Sequence, residues 1–171
     1  ENLPKMNHQK TLLSKVLPKA KIAPLVCDWR NAGKKIVFTN GCFDLLHLGH
    51  VDYLSKARGY GDKLVVGLNS DASIKKLKGS SRPIKDERSR SWILASFAFV
   101  DAVVLFDDET PLELISQINP DVLVKGGDYS TDEIVGNELV SSAGGQVLTV
   151  PFVKGFSSTN FIDKIINEAN G

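Results

Sequence analysis

Five short runs rich in Val, Ile and Leu recur along the chain, at Lys35–Thr39 (KIVFT), Lys63–Leu68 (KLVVGL), Ala102–Phe106 (AVVLF), Asp121–Val124 (DVLV) and Gln146–Val150 (QVLTV). They are continuous rather than alternating, so neither face of these strands suits water, and such strands belong in a parallel sheet covered on both sides. Stretches of helical pattern separate them at about 48–60, 70–77, 86–99, 111–118, 132–143 and 158–169. The alternation predicts an α/β fold: a Rossmann-like doubly wound parallel sheet of about five strands with helices on both faces. Thr110 stands as an N-cap before Pro111, and Ser158 or Thr159 can cap the last helix.

The length of 171 residues fits one domain with a real core. Residues 1–34 differ from the rest: they are basic, carry prolines at 4, 18 and 24, and hold one amphipathic helix near 22–32. They read either as an N-terminal arm packing on the domain or on another subunit, or as a partly disordered leader, with 35–171 as the α/β domain. The net charge of +1 hides a gradient, +6 over residues 1–35 against −5 over the remainder. Neither nucleic acid nor an anionic membrane is called for by that balance. Cys27 and Cys42 lack CxxC spacing and read as reduced thiols of a cytoplasmic protein. The most apolar stretch, Ile93–Phe106, is interrupted by Ser96 and Asp101 and is too short to span a bilayer. No secretory signal is expected, because no apolar segment follows the N-terminal lysines.

The chemistry concentrates in Thr39-Asn-Gly-Cys-Phe-Asp-Leu-Leu-His-Leu-Gly-His50, directly after the first predicted strand. A glycine turn leading from a parallel strand into a helix aims backbone N–H groups and the positive end of a helix dipole at a ligand, which makes an anion site. Gly41 permits a tight turn, and Gly49 leaves room for a phosphate beside the backbone. His47 and His50, three apart, share one side of the helix start, where imidazoles can donate to phosphate oxygens as charge builds in a transition state. No further His or Cys stands at a spacing that would complete a zinc site, so no protein-held metal is expected.

This segment resembles the HxGH signature of the HIGH-type nucleotidyltransferase superfamily. Gly155-Phe-Ser-Ser-Thr-Asn-Phe-Ile162 is similar to the family's second signature, a turn of hydroxyls at a helix N-terminus that offers donors to the β- and γ-phosphates. Within the superfamily, residues 34–165 resemble the D-glycero-β-D-manno-heptose 1-phosphate adenylyltransferases. The matching words are GKKIVFTNGCFDLLHLGHVDYL, GDKLVVGLNSDASIKKLKG, RPI, DETPLELI, PDVLVKGGDY, the Ile-Val-Gly at 134–136 and GGQVLTVPFVKGFSST. Glycerol-3-phosphate cytidylyltransferases share both signatures but carry an arginine where this chain has Phe152. Ser158 stands where threonine is commoner, and it keeps the hydroxyl.

The resemblance implies transfer of AMP from ATP to a sugar 1-phosphate with release of pyrophosphate, Mg²⁺ entering with the nucleotide, and a homodimer. Between 75 and 90, Lys75, Lys76, Lys78, Arg82, Lys85, Arg88 and Arg90 face only Asp86 and Glu87. Charge runs of this kind usually form solvated helix faces, but release of pyrophosphate calls for cationic clamps. By family position the clamps are Lys78, with Lys75 as its alternate, and Arg90, counted back from Val100-Asp101. With His47 and His50 they make the expected catalytic set. Ser157, Ser158 and Thr159 would bind the triphosphate tail, and Thr39, Asn40, Gly41, Phe43 and Gly49 would border the α-phosphate or the sugar phosphate. Lys125, Gly127 and Asp128 close the fourth predicted strand and would meet the nucleoside. Two alternatives stay open: a CTP-using enzyme acting on another alcohol phosphate such as glycerol 3-phosphate, or a nucleotide-binding module without catalysis.

Overall fold

The structure, a computed structural model, describes residues 7–127 and 130–169. In chain order the elements are α1 (His8–Leu13), β1 (Val16–Leu17), α2 (Ile22–Asn31), β2 (Ile36–Gly41), α3 (Leu48–Arg58), β3 (Lys63–Asn69), α4 (Asp71–Lys78) and α5 (Glu87–Ser96). They continue with β4 (Ala102–Phe106), α6 (Leu112–Ile118), β5 (Val122–Gly126), α7 (Asn137–Ser142), β6 (Gln146–Val150) and α8 (Ser158–Ala169). The strands form one parallel sheet in the order β1-β4-β3-β2-β5-β6.

The sheet has six strands where the apolar runs announced five. The extra strand is β1, whose Val16 and Leu17 pair with Val103 and Val104 and extend the sheet past β4. Two residues ahead of Pro18 carry no periodicity to detect. The basic N-terminal segment is fastened by charge as well: the Lys19 ammonium lies 2.8 Å from both Asp108 and Glu113, beyond the end of β4. One basic side chain of that segment thus meets the acidic part of the chain directly.

Side chains alternate across each strand, and the alternation divides the core. Val37, Val66, Val103, Val122 and Val124 pack with Tyr53, Leu54 and Leu94 of α3 and α5. Ile36, Phe38, Val65, Val104 and Leu123 pack with Ile22, Val26, Leu114, Ile115 and Val140 of α2, α6 and α7. Both faces are covered, as the continuous runs require.

Helix boundaries depart from expectation in three places. The helix expected over 132–143 is a 3-10 turn at Thr131–Glu133 followed by the short α7, because Gly136 at φ +92° turns the chain between them. Helix α6 begins at Leu112 with Pro111 as its cap, one residue later than the Thr110 cap predicted. At α8 it is Ser157, ahead of the two residues proposed, whose Oγ accepts the Asn160 N–H at 3.0 Å.

From β2 the chain builds β3 and β4 to one side of the sheet, then crosses over to add β5 and β6 on the other. Strands β2 and β5 therefore flank the topological switch point, the place in an open α/β sheet where ligands enter at the carboxyl edge.

Candidate active site

The loop after β2 is built to hold α3 with its N-terminus open to the carboxyl edge. Phe43 takes a left-handed conformation at φ +46°, which turns the chain sharply after Gly41. A Cβ on Gly41 would sit 3.0 Å from the Phe43 ring, a tight approach that glycine relieves. Asp44, almost wholly buried, then anchors the loop. Its carboxylate accepts the N–H groups of Ile84 and Lys85 at 2.9 Å and the Arg82 Nε–H at 2.8 Å. Burial alone would raise its pKa, but those backbone N–H groups and the Arg82 charge together hold it below the usual carboxylate range.

His47 caps α3 and His50 lies in its first turn, with ring centroids 3.9 Å apart. The His47 backbone N–H donates to His50 Nδ1 at 3.3 Å, so in the neutral ring the proton sits on Nε2, a donor for the cleft. Burial, with help from the neighbouring His47 and Lys78, pushes the His50 pKa down to about 4. At neutral pH the ring is an uncharged donor. Burial lowers the His47 pKa too, and its buried Nδ1 has no hydrogen-bond partner among the described residues. Gly49 serves this ring: an added Cβ would meet His47 at 3.0 Å.

The two signature segments come together. Ser158 Oγ donates to the Leu45 carbonyl at 3.1 Å, tying the start of α8 to the loop that precedes α3. Between the two helix N-termini lies a cavity of about 280 Å³ lined by His47, Gly49, His50, Lys78, Arg82 and Ser157–Thr159, among others. A second cavity, about 210 Å³, opens along the ends of β2 and β5, and its walls include Asn40, Gly41, Phe43, His50, Lys78, Arg82, Lys125 and Ser158. The two share His50, Tyr53, Lys78, Arg82, Phe152 and Ser158, so they are compartments of one cleft. Two helix N-termini, the three cations Lys78, Arg82 and Lys125, and neutral imidazole donors around one space form a site for a polyanion.

Three expected residues stand elsewhere. Arg90 is fully enclosed and lines neither compartment. Its guanidinium donates to the carbonyls of Lys85, Cys42 and Asn69 and to the Asp71 carboxylate at 2.7–3.0 Å. It fastens the loop after β2 to the end of β3 from below the cleft. Thr39 is likewise fully buried. The Tyr53 hydroxyl gives its single proton to the Val124 carbonyl at 3.0 Å, so Thr39 is the donor in the 2.5 Å contact between the two hydroxyls. Burial raises the Tyr53 pKa. Gly127, at φ +114°, spends its N–H on the Val150 carbonyl and lies outside both linings, where Gly126 stands instead. Asp128 lies outside the described residues.

Arg82, Tyr53 and Phe152, to which the sequence assigned no place in the site, also line the cleft. Arg82 sat within the matching word RPI, the one signal that could have separated it from the six neighbouring bases. No group of three or more His, Cys, Asp or Glu side chains among the described residues is placed to hold a metal ion. Asp44, the carboxylate lining the cleft among the described residues, is already committed to Arg82, Ile84 and Lys85. No helix among the described residues is long and apolar enough to cross a membrane.

Comparison with known proteins places this geometry. Residues 38–164 match the family model described as cytidylyltransferase-like. The chain is 61% identical over 134 residues to the bifunctional protein HldE of Geobacter metallireducens, an alignment covering 78% of this chain and 27% of that protein. It is 56% identical over 151 residues to the bifunctional protein HldE of Koribacter versatilis, covering 88% and 31% respectively. The chain thus spans about a third of the length of these relatives. Among solved structures, the lipopolysaccharide core biosynthesis protein from Thermoplasma volcanium is similar, with a TM-score of 0.58 and 29% identity over 72% of this chain and all of that one. The pantoate-β-alanine ligase from Francisella tularensis, 15% identical with a TM-score of 0.56, covers 90% of this chain and 76% of its own, and shares the fold.

Proposed function

The chain belongs to the cytidylyltransferase-like family, and on that premise we propose that it transfers AMP from ATP to D-glycero-β-D-manno-heptose 1-phosphate, giving ADP-heptose and pyrophosphate for surface-glycan synthesis. The observation that carries the reading is the cleft itself, in which His47, His50, Lys78 and Arg82 face Ser157–Thr159 across a single space.

In this reaction an oxygen of the sugar phosphate attacks the α-phosphorus in line. The bond from that phosphorus to the bridging oxygen of the β-phosphate breaks, and pyrophosphate leaves with the electron pair. The attacking phosphate is already ionised at neutral pH, so no side chain need take its proton. What the protein supplies is position and electrostatic stabilisation. The neutral His50 donates Nε2–H to an oxygen of the α- or β-phosphate. An uncharged donor leaves the ground state unburdened by a desolvated cation and strengthens its bond as negative charge shifts to the leaving group. Lys78 and Arg82 balance that charge, and the α8 N-terminus with its hydroxyls holds the triphosphate tail. A divalent cation entering with the nucleotide would offset part of the phosphate charge. Phe152, 61% exposed where the cytidylyl branch carries an arginine, offers a ring on which a base can stack.

The partners in this reading are ATP, a sugar 1-phosphate and a second copy of the chain. Neither nucleic acid nor a membrane surface has a part in it. A pyrophosphate-release assay with ATP and CTP across a panel of sugar 1-phosphates and glycerol 3-phosphate tests it. Release with ATP and the heptose phosphate is expected. Turnover only with CTP and glycerol 3-phosphate would move the chain to the cytidylyl branch, and ATP binding with no release from any acceptor would leave a non-catalytic module.

A further inference from the structure

The two compartments described account for the nucleotide's phosphates and leave a third cavity at the same sheet edge unused. It measures about 170 Å³ and is lined by Asn40, Pro111, Lys125, Glu133, Ile134 and Val135. Asn40 and Lys125 also line the central compartment, so these two side chains form the wall through which the spaces meet. Strand alternation says why. Ile36 and Phe38 of β2 and Leu123 of β5 face α6 and α7. Asn40 and Lys125 continue those series in steps of two, so they leave the sheet on that same face, away from α3.

The Lys125 ammonium is the charge at that wall. Its one hydrogen bond among the described residues is a long one, 3.4 Å, to Asn40 Oδ1, and no described carboxylate lies within ion-pair distance. Burial holds its pKa below the ordinary lysine range, a cost that an anion placed there would offset. Beyond it the walls change character. Pro111, Ile134 and Val135 are apolar, and the Glu133 carboxylate is an acceptor with no hydrogen-bond partner among the described residues.

We propose that this cavity is the acceptor subsite and takes the hydroxylated carbon skeleton of a sugar phosphate. Lys125 and the Asn40 amide hold the acceptor's phosphate at the shared wall, facing the α-phosphorus across the compartment that His50 lines. Glu133 accepts hydrogen bonds from sugar hydroxyls, and Pro111, Ile134 and Val135 pack against the C–H face. Lys125 thereby serves the acceptor rather than the nucleoside. The inference rests on the nucleotidyl-transfer reading above and adds which residues choose the second substrate.

The test is isothermal titration of the full chain with D-glycero-β-D-manno-heptose 1-phosphate in the presence of a non-hydrolysable ATP analogue, comparing wild type with Glu133→Ala and Val135→Trp. Both positions are exposed, and thermal melts confirm that each variant folds. Glu133→Ala is expected to weaken sugar-phosphate binding about tenfold or more, the worth of a hydrogen bond to a charged group, and Val135→Trp to weaken it at least as much by filling the cavity, while the analogue binds as to wild type. Unchanged sugar-phosphate affinity in both folded variants overturns the subsite. Pyrophosphate release separates this failure from the other: turnover with an unaltered acceptor KM in the variants sinks the subsite alone. Variant-sensitive binding without turnover in wild type sinks the nucleotidyl-transfer reading alone. A wild type that binds no sugar phosphate sinks both.

Discussion

Arg90 is the residue for which sequence position and structure give different forecasts, and Arg90→Met separates them. The family position makes it a clamp on the triphosphate. The structure encloses it completely and gives its guanidinium four acceptors, three backbone carbonyls and the Asp71 carboxylate. Methionine keeps much of the volume and removes every donor. Hydrogen bonds to charged groups are worth about 1.5–3 kcal/mol each, but they do not add, and breaking one buried ion pair costs about 3–5 kcal/mol. The Asp71 side chain, 30% exposed, can be rehydrated once released, whereas the enclosed carbonyls regain less water. A net loss of about 3 kcal/mol follows, or about 6–12 °C in melting temperature for a domain of this size. Urea denaturation followed by circular dichroism measures the first figure and calorimetry the second. Because the Cys42 carbonyl belongs to the loop carrying the histidines, kcat should fall as well. An Arg90→Met protein that melts within a degree of wild type yet binds ATP much more weakly would refute the enclosed role and restore the clamp.

Four further outcomes can be checked. His50→Ala should lower kcat by about 10²–10³ with a smaller change in the KM for ATP, since it removes a donor aimed at transition-state charge; steady-state pyrophosphate release reads both constants, and near-normal turnover would exclude the role. Thr39→Val should cost about 1 kcal/mol in urea titration and leave the KM for ATP alone, because its hydroxyl serves Tyr53 beneath the cleft. For His50 the folded pKa of about 4 lies below the ordinary 6.5, so between those values the unfolded chain binds more protons. Stability is then complete above pH 6.5 and declines by about 1–2 kcal/mol as pH falls towards 4, solvent screening of a partly exposed ring included, with His47 adding in the same direction. In chemical denaturation across that window, His50→Gln should flatten the slope, and an unchanged slope would show that other groups set it. Asp44→Asn should raise the KM for ATP by freeing the 82–85 segment, and an unaltered KM would show that Arg82 holds its place unaided.

The fold was legible where burial is two-sided. KIVFT, KLVVGL and AVVLF have no polar face to present to water, which leaves few arrangements besides a covered parallel sheet, and β4 and β6 coincide with their apolar runs to the residue. Val16–Leu17 escaped because a two-residue edge strand has no pattern of its own; the sheet exists there through Val103 and Val104. Gly136 was visible, but only its left-handed turn shows that it ends one element and starts another.

The candidate site was legible to the degree that it is local. His47 and His50 share one turn of one helix, so spacing alone brings them together. The meeting of that turn with Ser157–Thr159 depends on the crossover that sets β5 beside β2, a consequence of the whole topology. Choosing among seven bases between 75 and 90 is harder still, because no periodicity distinguishes a guanidinium turned towards the cleft from one turned beneath it. That choice is made by carboxylates elsewhere. Asp44, at the end of the motif's glycine turn, draws Arg82 across to the cleft wall, while Asp71 at the start of α4 draws Arg90 inward. Motif histidines and the two arginines are therefore coupled through one loop, with Asp44 fixing Arg82 and the Cys42 carbonyl receiving Arg90. Loosening either arginine should disturb the histidines that neither one touches.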